Sequence, residues 1–175
     1  MQRFIGRLLL SLVLLSATHA YARGTVFVSP SVGTASISNI DGYKDAALLR
    51  VDAAYFLLPE LGVGLFGMQY SDFESSGSGN AVSIKLSGFG PSVTGRWPVH
   101  PNVQPYVRLD YMRWEVESHG LGRLLASDTG GSAGLTAGVH FPIKRIFGAK
   151  VEVSRYNNVS GADIQQVSVG AVFEF

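Results

Sequence analysis

The 175-residue sequence contains no cysteine at all, which excludes a disulfide framework, a thiolate metal site and a cysteine nucleophile. Charged residues make up only 15%, and the formal net charge is +1. That balance leaves no basic stripe for nucleic acid. Beyond the N-terminus no apolar run reaches the roughly 18 residues that a spanning helix needs, and almost nothing repeats with a helical period. What is abundant is glycine, 21 residues, beside 11% aromatics and a hydrophobic fraction of 46%. This mixture suits β-structure with close backbone approaches better than a disordered chain.

The first 22 residues read as a leader. Arg3 and Arg7 precede an apolar run from Leu8 to Leu15, and Ala20 and Ala22 flank Tyr21, the pattern of a cleaved secretory signal peptide. Cleavage after Ala22 leaves residues 23–175 as one domain, near neutral or slightly acidic. An exported chain without cysteine is held by its own backbone pairing and packing.

Residues 23–175 alternate with period two, punctuated by turn residues. Val26, Val28, Pro30 and Val32 share one face, opposite Phe27, Ser29, Ser31 and Gly33. In ALLRVDAAYFL, Ala47, Leu49, Val51, Ala53, Tyr55 and Leu57 oppose Arg50, Asp52 and Ala54. The third stretch, GVGLFGMQY from Gly62, does not declare its facing. The fourth, Ala81 to Trp97, carries Val82, Ile84 and Leu86 in one phase and Phe89, Val93 and Trp97 in the other, which predicts a bulge near Gly88. Val107, Leu109 and Tyr111 oppose Arg108, Asp110 and Met112 in the fifth. Leu135, Ala137, Val139 and Phe141 oppose Gly134, Thr136, Gly138 and His140 in the sixth, and Val151 and Val153 oppose Lys150, Glu152 and Ser154 in the seventh. The eighth places Val167, Val169, Ala171, Phe173 and Phe175 opposite Ser168, Gly170, Val172 and Glu174.

The connections alternate too. SISNIDGYK, DFESSGSGN, ESHGLGRLLASDTGG and NNVSGAD are long and polar, whereas LLPEL, PVHPN and PIKRIF are short and carry proline. An even number of strands with short turns at one end and long loops at the other predicts an all-β fold. It is a single antiparallel up-and-down transmembrane β-barrel of about eight strands, with both termini in the periplasm. Large apolar residues on one face and Gly, Ala, Ser and Thr with a few charges on the other predict a lipid-facing exterior around a narrow lumen. Tyr55, Tyr106, Tyr111, Trp97, Trp114 and Phe175 fall near strand ends, where aromatic girdles lie.

Three cation–anion pairs stand two residues apart, hence on one strand face: Arg50 with Asp52, Arg108 with Asp110, and Lys150 with Glu152. A lipid-facing arginine near the midplane costs roughly 2 to 4 kcal/mol, so all three pairs are expected to form a charge network in the lumen. That network is either a structural core or a gate passing small ions when partners exchange.

The last strand explains why the most regular segment ends the chain: it must pair with the first, because an open edge in lipid leaves backbone groups unsatisfied. An alternating terminal strand ending in Phe, here Val167, Val169, Ala171, Phe173 and Phe175, looks like the signal by which outer-membrane proteins are recognised for assembly. Residues 23–175 as a whole are similar to the small OmpA-like outer-membrane β-barrel family, through RVDAAYFLLPELGVGLFGMQY, PYVRLDYMRWE and VEVSRYNNVSGADIQQVSVGAVFEF. The resemblance implies an outer-membrane location in a Gram-negative bacterium and a monomer in contact with outer-membrane lipid and lipopolysaccharide. It also implies handling by periplasmic chaperones and the assembly machinery.

Catalysis finds little support. Lipid A deacylases of this size carry His-x-Ser near the C-terminal strands, where this chain reads Arg155-Tyr156-Asn157-Asn158. His100, His119 and His140 are scattered, and the adjacent Ser118 and His119 face opposite ways in a strand. Asp128-Thr129-Gly130 matches an aspartic-protease signature by chance, and Asn158-Val159-Ser160 is a glycosylation sequon by pattern alone. No catalytic, cofactor-binding or metal residues are assigned. Two functions remain: a non-enzymatic surface barrel of the envelope, with polar loops open to a host or cell-surface ligand, or a narrow porin-like channel for ions or small solutes. A lipid-modifying enzyme is the minor alternative.

Overall fold

A computed structural model describes residues 24–38, 42–74, 82–120 and 123–175. The expected leader and parts of the SISNIDGYK, DFESSGSGN and ESHGLGRLLASDTGG stretches lie outside the described residues. The strands are β1 (Thr25–Ile37), β2 (Ala46–Leu58), β3 (Leu61–Tyr70), the two-residue β4 (Phe73–Glu74), β5 (Val82–Arg96), β6 (Gln104–Gly120), β7 (Arg123–Lys144), β8 (Phe147–Val159) and β9 (Ala162–Glu174). The long strands pair antiparallel in sequence order, β3 crosses to β5, and β1 pairs with β9. The result is a closed eight-strand barrel with β4 extending one edge.

Closure reaches the last residue. The β1–β9 ladder runs from Phe27 opposite Glu174 to Ile37 opposite Ile164. Beyond it Val26 and Phe175 exchange backbone bonds, Val26 N–H to Phe175 O at 3.0 Å and Phe175 N–H to Val26 O at 2.9 Å. Tight turns at Pro59–Glu60 and Arg145–Ile146, with the 97–103 connection, gather at the end that holds both strand termini, here termed the turn end. The opposite end is the loop end.

Facing follows from parity. Val32, Leu49, Leu65, Phe89, Leu109, Leu135, Val153 and Val169 are exposed on the outer wall, while Ser31, Arg50, Asp110, Thr136, Lys150, Glu152 and Ser168 are buried. The third strand resolves with Phe66, Met68 and Tyr70 inward and Leu61, Val63 and Leu65 outward.

Four expectations need correction. No bulge lies at Gly88: Gly88 pairs with Met68 on β3 and Trp114 on β6, and both ladders keep a constant register through it. Leu86 points inward and Phe89 outward because the loop end of the lumen is itself apolar, so the phase change is chemical, not geometric. ESHGLGRLLASDTGG and NNVSGAD are not long loops; β6 and β7 run 17 and 22 residues and leave only residues 121–122 between them, while β8 and β9 meet at Ser160–Gly161. β6 and β7 thus run well past the roughly 9 to 11 residues that cross a membrane, whereas β3, with 10, stays within that range. Tyr106 and Trp114 are buried in the lumen and belong to no girdle; Trp97, Tyr111 and Phe175 are exposed outside. Finally, the interior is not mainly small residues, since Phe27, Phe56, Phe66, Tyr70, Tyr156 and Trp114 all fill it.

Candidate functional site: a lumen in three layers

At the turn end Phe27, Phe56 and Val172 pack together with Ala54 beside them, the two rings 4.7 Å apart between centroids. Across their faces lies the Arg96 guanidinium, 4.2 Å from the Phe56 centroid and 4.9 Å from that of Phe27, a cation–π arrangement at the mouth. Arg96 also donates to Pro59 O and to Gln104 Oε1. The His140 ring stands edge-on to Phe27, with Nδ1 3.2 Å from the same Gln104 oxygen. Behind this mouth a cavity of about 70 Å³ is lined by Ser29, Thr94, Tyr106 and Lys150 among others. That is room for about two waters.

The middle layer gathers all six paired charges. Arg50 Nε donates to Asp52 Oδ1 at 2.8 Å and its Nη2 meets Asp110 Oδ2 at 3.1 Å. Arg108 donates from Nε to Asp110 Oδ1 at 3.1 Å and from Nη1 to Glu152 Oε1 at 2.7 Å. Lys150 Nζ bridges Asp52 Oδ2 at 2.7 Å and Glu152 Oε2 at 3.0 Å. Three cations thus balance three carboxylates, drawn from β2, β6 and β8. Because barrel closure and strand tilt bring these strands to one level, pairs that are local in sequence become one cross-lumen lattice.

Tyrosines and hydroxyls complete it. Tyr156 Oη accepts from Arg50 Nη1 and donates to Asp110 Oδ2, both at 2.5 Å. Tyr106 Oη donates to Glu152 Oε1 at 2.6 Å, and Ser168 Oγ to Glu152 Oε2 at 3.3 Å. Thr136 accepts from Arg108 and donates to Ser154. Burying charge is costly unless it is paired and bonded throughout, and here each carboxylate accepts from several donors. The tyrosines fit because glycines face them across the sheet. A Cβ at Gly134 would run into the Tyr156 ring, and one at Gly138 would lie 2.6 Å from that of Tyr106.

Above the charges, toward the loop end, the lumen turns apolar. Leu48, Phe66, Met68, Phe73, Leu86, Met112, Trp114, Val159 and Ile164 belong to one buried cluster with Tyr70 and Tyr156. The layers interlock, because the Arg50 guanidinium lies 4.2 Å over the Phe66 ring and Tyr70 Oη donates to Gln166 Oε1 at 3.1 Å. Trp114 Nε1 is buried here with no hydrogen-bond partner among the described residues. An unsatisfied buried donor costs about 1–3 kcal/mol.

At the loop-end rim the β8–β9 tip is cross-linked rather than loose. Asn158, Ser160 and Gly161 adopt left-handed backbone angles, as a two-residue hairpin turn preceded by a bulge requires. Asp163 accepts from Asn158 N–H at 3.0 Å and from Arg155 Nη2 at 2.9 Å, and Ser160 Oγ donates to Asp128 at 2.8 Å. These bonds hold the Asp163 carboxyl below the usual carboxylate range, chiefly through Asn158 N–H and then Arg155. Among the described residues, no cluster of three metal-ligating side chains forms. The His100 ring and backbone bond within their own turn, and the expected terminal-strand residues Val167, Val169, Ala171 and Phe173 occupy the outer face of β9, with Phe175 just beyond it.

Sequence reasoning did not place Tyr70, Tyr106, Tyr156 or Trp114 in the lumen. The signal was present as parity: Tyr106 and Trp114 share it with Arg108 and Asp110, and Gly138 and Gly130 stand opposite them in register.

Comparison with known proteins agrees with this architecture. The family model of the outer membrane protein beta-barrel domain matches residues 6–175. Neisserial surface protein A superposes with a TM-score of 0.66 at 17% identity, over 87% of this chain and 97% of that one. Ail, the attachment invasion locus protein of Yersinia pestis, gives 0.64 at 18% identity, over 87% and 99%. The N-terminal barrel of Pseudomonas aeruginosa OprF gives 0.63 at 15% identity, over 86% and 97%. None of the curated proteins matches the chain in sequence.

Proposed function

Because this chain belongs to the outer membrane protein beta-barrel domain family and so resides in the outer membrane of a Gram-negative bacterium, we propose that it is a sealed, non-conducting surface barrel. In this reading it is a structural component of the envelope, without enzymatic activity, that presents its loop end to the exterior. Residues 1–22 act as the cleaved signal peptide, both mature termini face the periplasm, and β9 with Phe175 is the segment read by the assembly machinery.

One observation carries the reading: the apolar cluster around Phe66, Leu86 and Trp114 stands across the lumen above a fully paired charge lattice. An ion would have to shed its water at the first and break bonds in the second, and buried charges do not part without cost. On this reading the 70 Å³ cavity at the turn end ends blind.

The loop end gives the surface role its chemistry. Among the described residues, Asp45, Asp72, Glu115, Glu117, Asp128 and Asp163 outnumber Lys44, Lys85, Arg113 and Arg155 there. The solved Ail complex holds a heparin analogue, sucrose octasulfate. An acidic loop end does not favour such a polysulfate, so that partner class is not carried over.

Planar-bilayer recording on the purified mature chain tests the proposal. A stable membrane with no unitary current steps is expected, and reproducible steps at neutral pH would establish the porin-like channel instead.

A further inference from the structure

The cavity of about 70 Å³ behind the turn-end mouth is bordered by residues of both the mouth and the charge lattice. Thr94 on β5 is one of them, only 8% exposed, and its hydroxyl bonds to no protein group among the described residues. A buried hydroxyl is costly unless something receives its proton. What the cavity holds must therefore be an acceptor.

Two cations border the same space with donors to spare. The Lys150 ammonium carries three donors and directs two of them to Asp52 and Glu152. Arg96 lies two residues beyond Thr94, hence on the same face of β5. It donates from Nε to Pro59 O and from Nη1 to Gln104 Oε1, which leaves Nη2 without an acceptor among the described residues. Neither of those acceptors is charged. Glu60 and Glu174 act on Arg96 only from a distance, and the lattice already balances three cations with three carboxylates. The Arg96 charge is thus a surplus, set only against the faces of Phe27 and Phe56. Asp52, the one carboxylate on the cavity wall, is held by Arg50, Arg108 and Lys150, so it does not supply the missing counter-charge.

We infer that this cavity is a binding site for one small monovalent anion of the halide class, chloride in the ordinary ionic surroundings of the protein. The Thr94 hydroxyl, the third Lys150 N–H and Arg96 Nη2 are its donors. Water alone satisfies the hydroxyl but leaves the surplus charge unbalanced, whereas an anion answers both, through charge-assisted bonds. A metal cation would meet Arg96, Arg108 and Lys150 on the cavity wall and find no free carboxylate. Room for about two waters also turns away larger organic anions. The site lies wholly on the turn-end side of the lattice and stands whether or not the lumen conducts.

Chlorine nuclear magnetic resonance of the mature chain in nonionic micelles provides the test, because exchange with a protein site broadens the line of free chloride. The line width is read rather than stability, since a weakly held ion shifts unfolding little. The wild type is expected to broaden the line, and added bromide to reverse the effect by competition. Thr94→Val removes the hydroxyl and should weaken binding about tenfold, the worth of one hydrogen bond to a charge, whereas Thr94→Ser should retain it. Arg96→Gln should abolish the broadening, and Lys144→Gln, which removes an exposed charge outside the cavity, should leave it unchanged. No broadening by the wild type, binding by Thr94→Val as tight as the wild type's, broadening that survives Arg96→Gln, or an equal loss in Lys144→Gln would overturn the inference. Each variant is checked for the heat-shifted gel migration of a closed barrel, and conductance is recorded separately, so a failure of this site is distinguishable from a failure of the sealed-barrel reading.

Discussion

The middle of the lumen and its loop end are made from the same strands, yet they seal the barrel in opposite ways. In the middle, Arg50, Arg108 and Lys150 neutralise Asp52, Asp110 and Glu152 through directed bonds. At the loop end, Phe66, Leu86, Met112 and Trp114 exclude water by packing alone. The first is specific and intolerant of any single deletion, because one lost partner strands a buried charge. The second is tolerant in detail, because an apolar layer loses only the volume and contacts removed. A barrel that needed merely to be full could use either; one that carries both has a lumen fixed in register by charge and dried by packing.

The sharpest way to break this contrast is Arg50→Met. It leaves Asp52 and Asp110 short of a donor and Tyr156 without Arg50 Nη1. A loss of about 3–5 kcal/mol is expected, the penalty for breaking a buried pair, read as the shift in urea unfolding of the barrel in lipid vesicles. A shift no larger than that of an outer-wall substitution would mean that water solvates the charges. Because the lattice is buried, the stability of the wild type should also change little with salt, whereas a solvated network would weaken.

Leu86→Ala probes the other layer. A loss of about 3 kcal/mol is expected from the lost burial and the cavity left behind, again by unfolding in vesicles, with no sensitivity to salt. Tyr156→Phe tests the seam between the layers, since its ring packs in the apolar cluster while its hydroxyl joins Arg50 to Asp110. Removing only the oxygen should cost about 2 kcal/mol, and the effect should not vanish in the Arg50→Met background, because the hydroxyl still donates to Asp110. Additive losses would show that the hydroxyl and Arg50 act on Asp110 independently.

The smallest expected effect lies outside both layers, at the β8–β9 tip. Asp163 is held below its ordinary carboxylate range in the folded tip, so it remains ionised where the unfolded chain has begun to protonate. Its contribution to tip order is therefore complete above about pH 4 and fades as pH falls through the lowered folded value. Hydrogen exchange at the Asn158 amide, which donates to Asp163, should lose protection on acidification, while amides within the β1–β9 ladder do not.

The two layers were also unequally legible in the sequence. Charges two apart on otherwise apolar strands announce their parity, so Arg50, Asp52, Arg108, Asp110, Lys150 and Glu152 could be assigned one face each. What could not be read was that β2, β6 and β8 meet at a single level, because shear and tilt belong to the closed barrel. The apolar layer hid better. Where both faces of a strand are apolar, period two disappears, so on β3 hydropathy does not separate the inward Phe66, Met68 and Tyr70 from the outward Leu61, Val63 and Leu65. The same apolar layer turned Leu86 and Phe89 into an apparent slip at Gly88, although the strand runs straight through in register. Tyr106 and Trp114 were legible by parity, but their nearness to strand ends suggested a girdle instead.

The two tryptophans of the chain allow the sealed lumen to be tested directly. Trp114 Nε1 is buried in the apolar layer and has no hydrogen-bond partner among the described residues, so the access of water to that layer sets how fast its indole proton exchanges. Trp97 is 54% exposed at the turn end and serves as the internal reference. Deuterium exchange of both indole protons, followed by nuclear magnetic resonance of the mature chain in micelles, separates the alternatives. Rapid exchange at Trp97, with exchange at Trp114 only as fast as the whole barrel unfolds, is the outcome expected of a dry, closed lumen. Exchange at Trp114 as fast as at Trp97 would show that water passes the apolar layer and would contradict the sealed barrel.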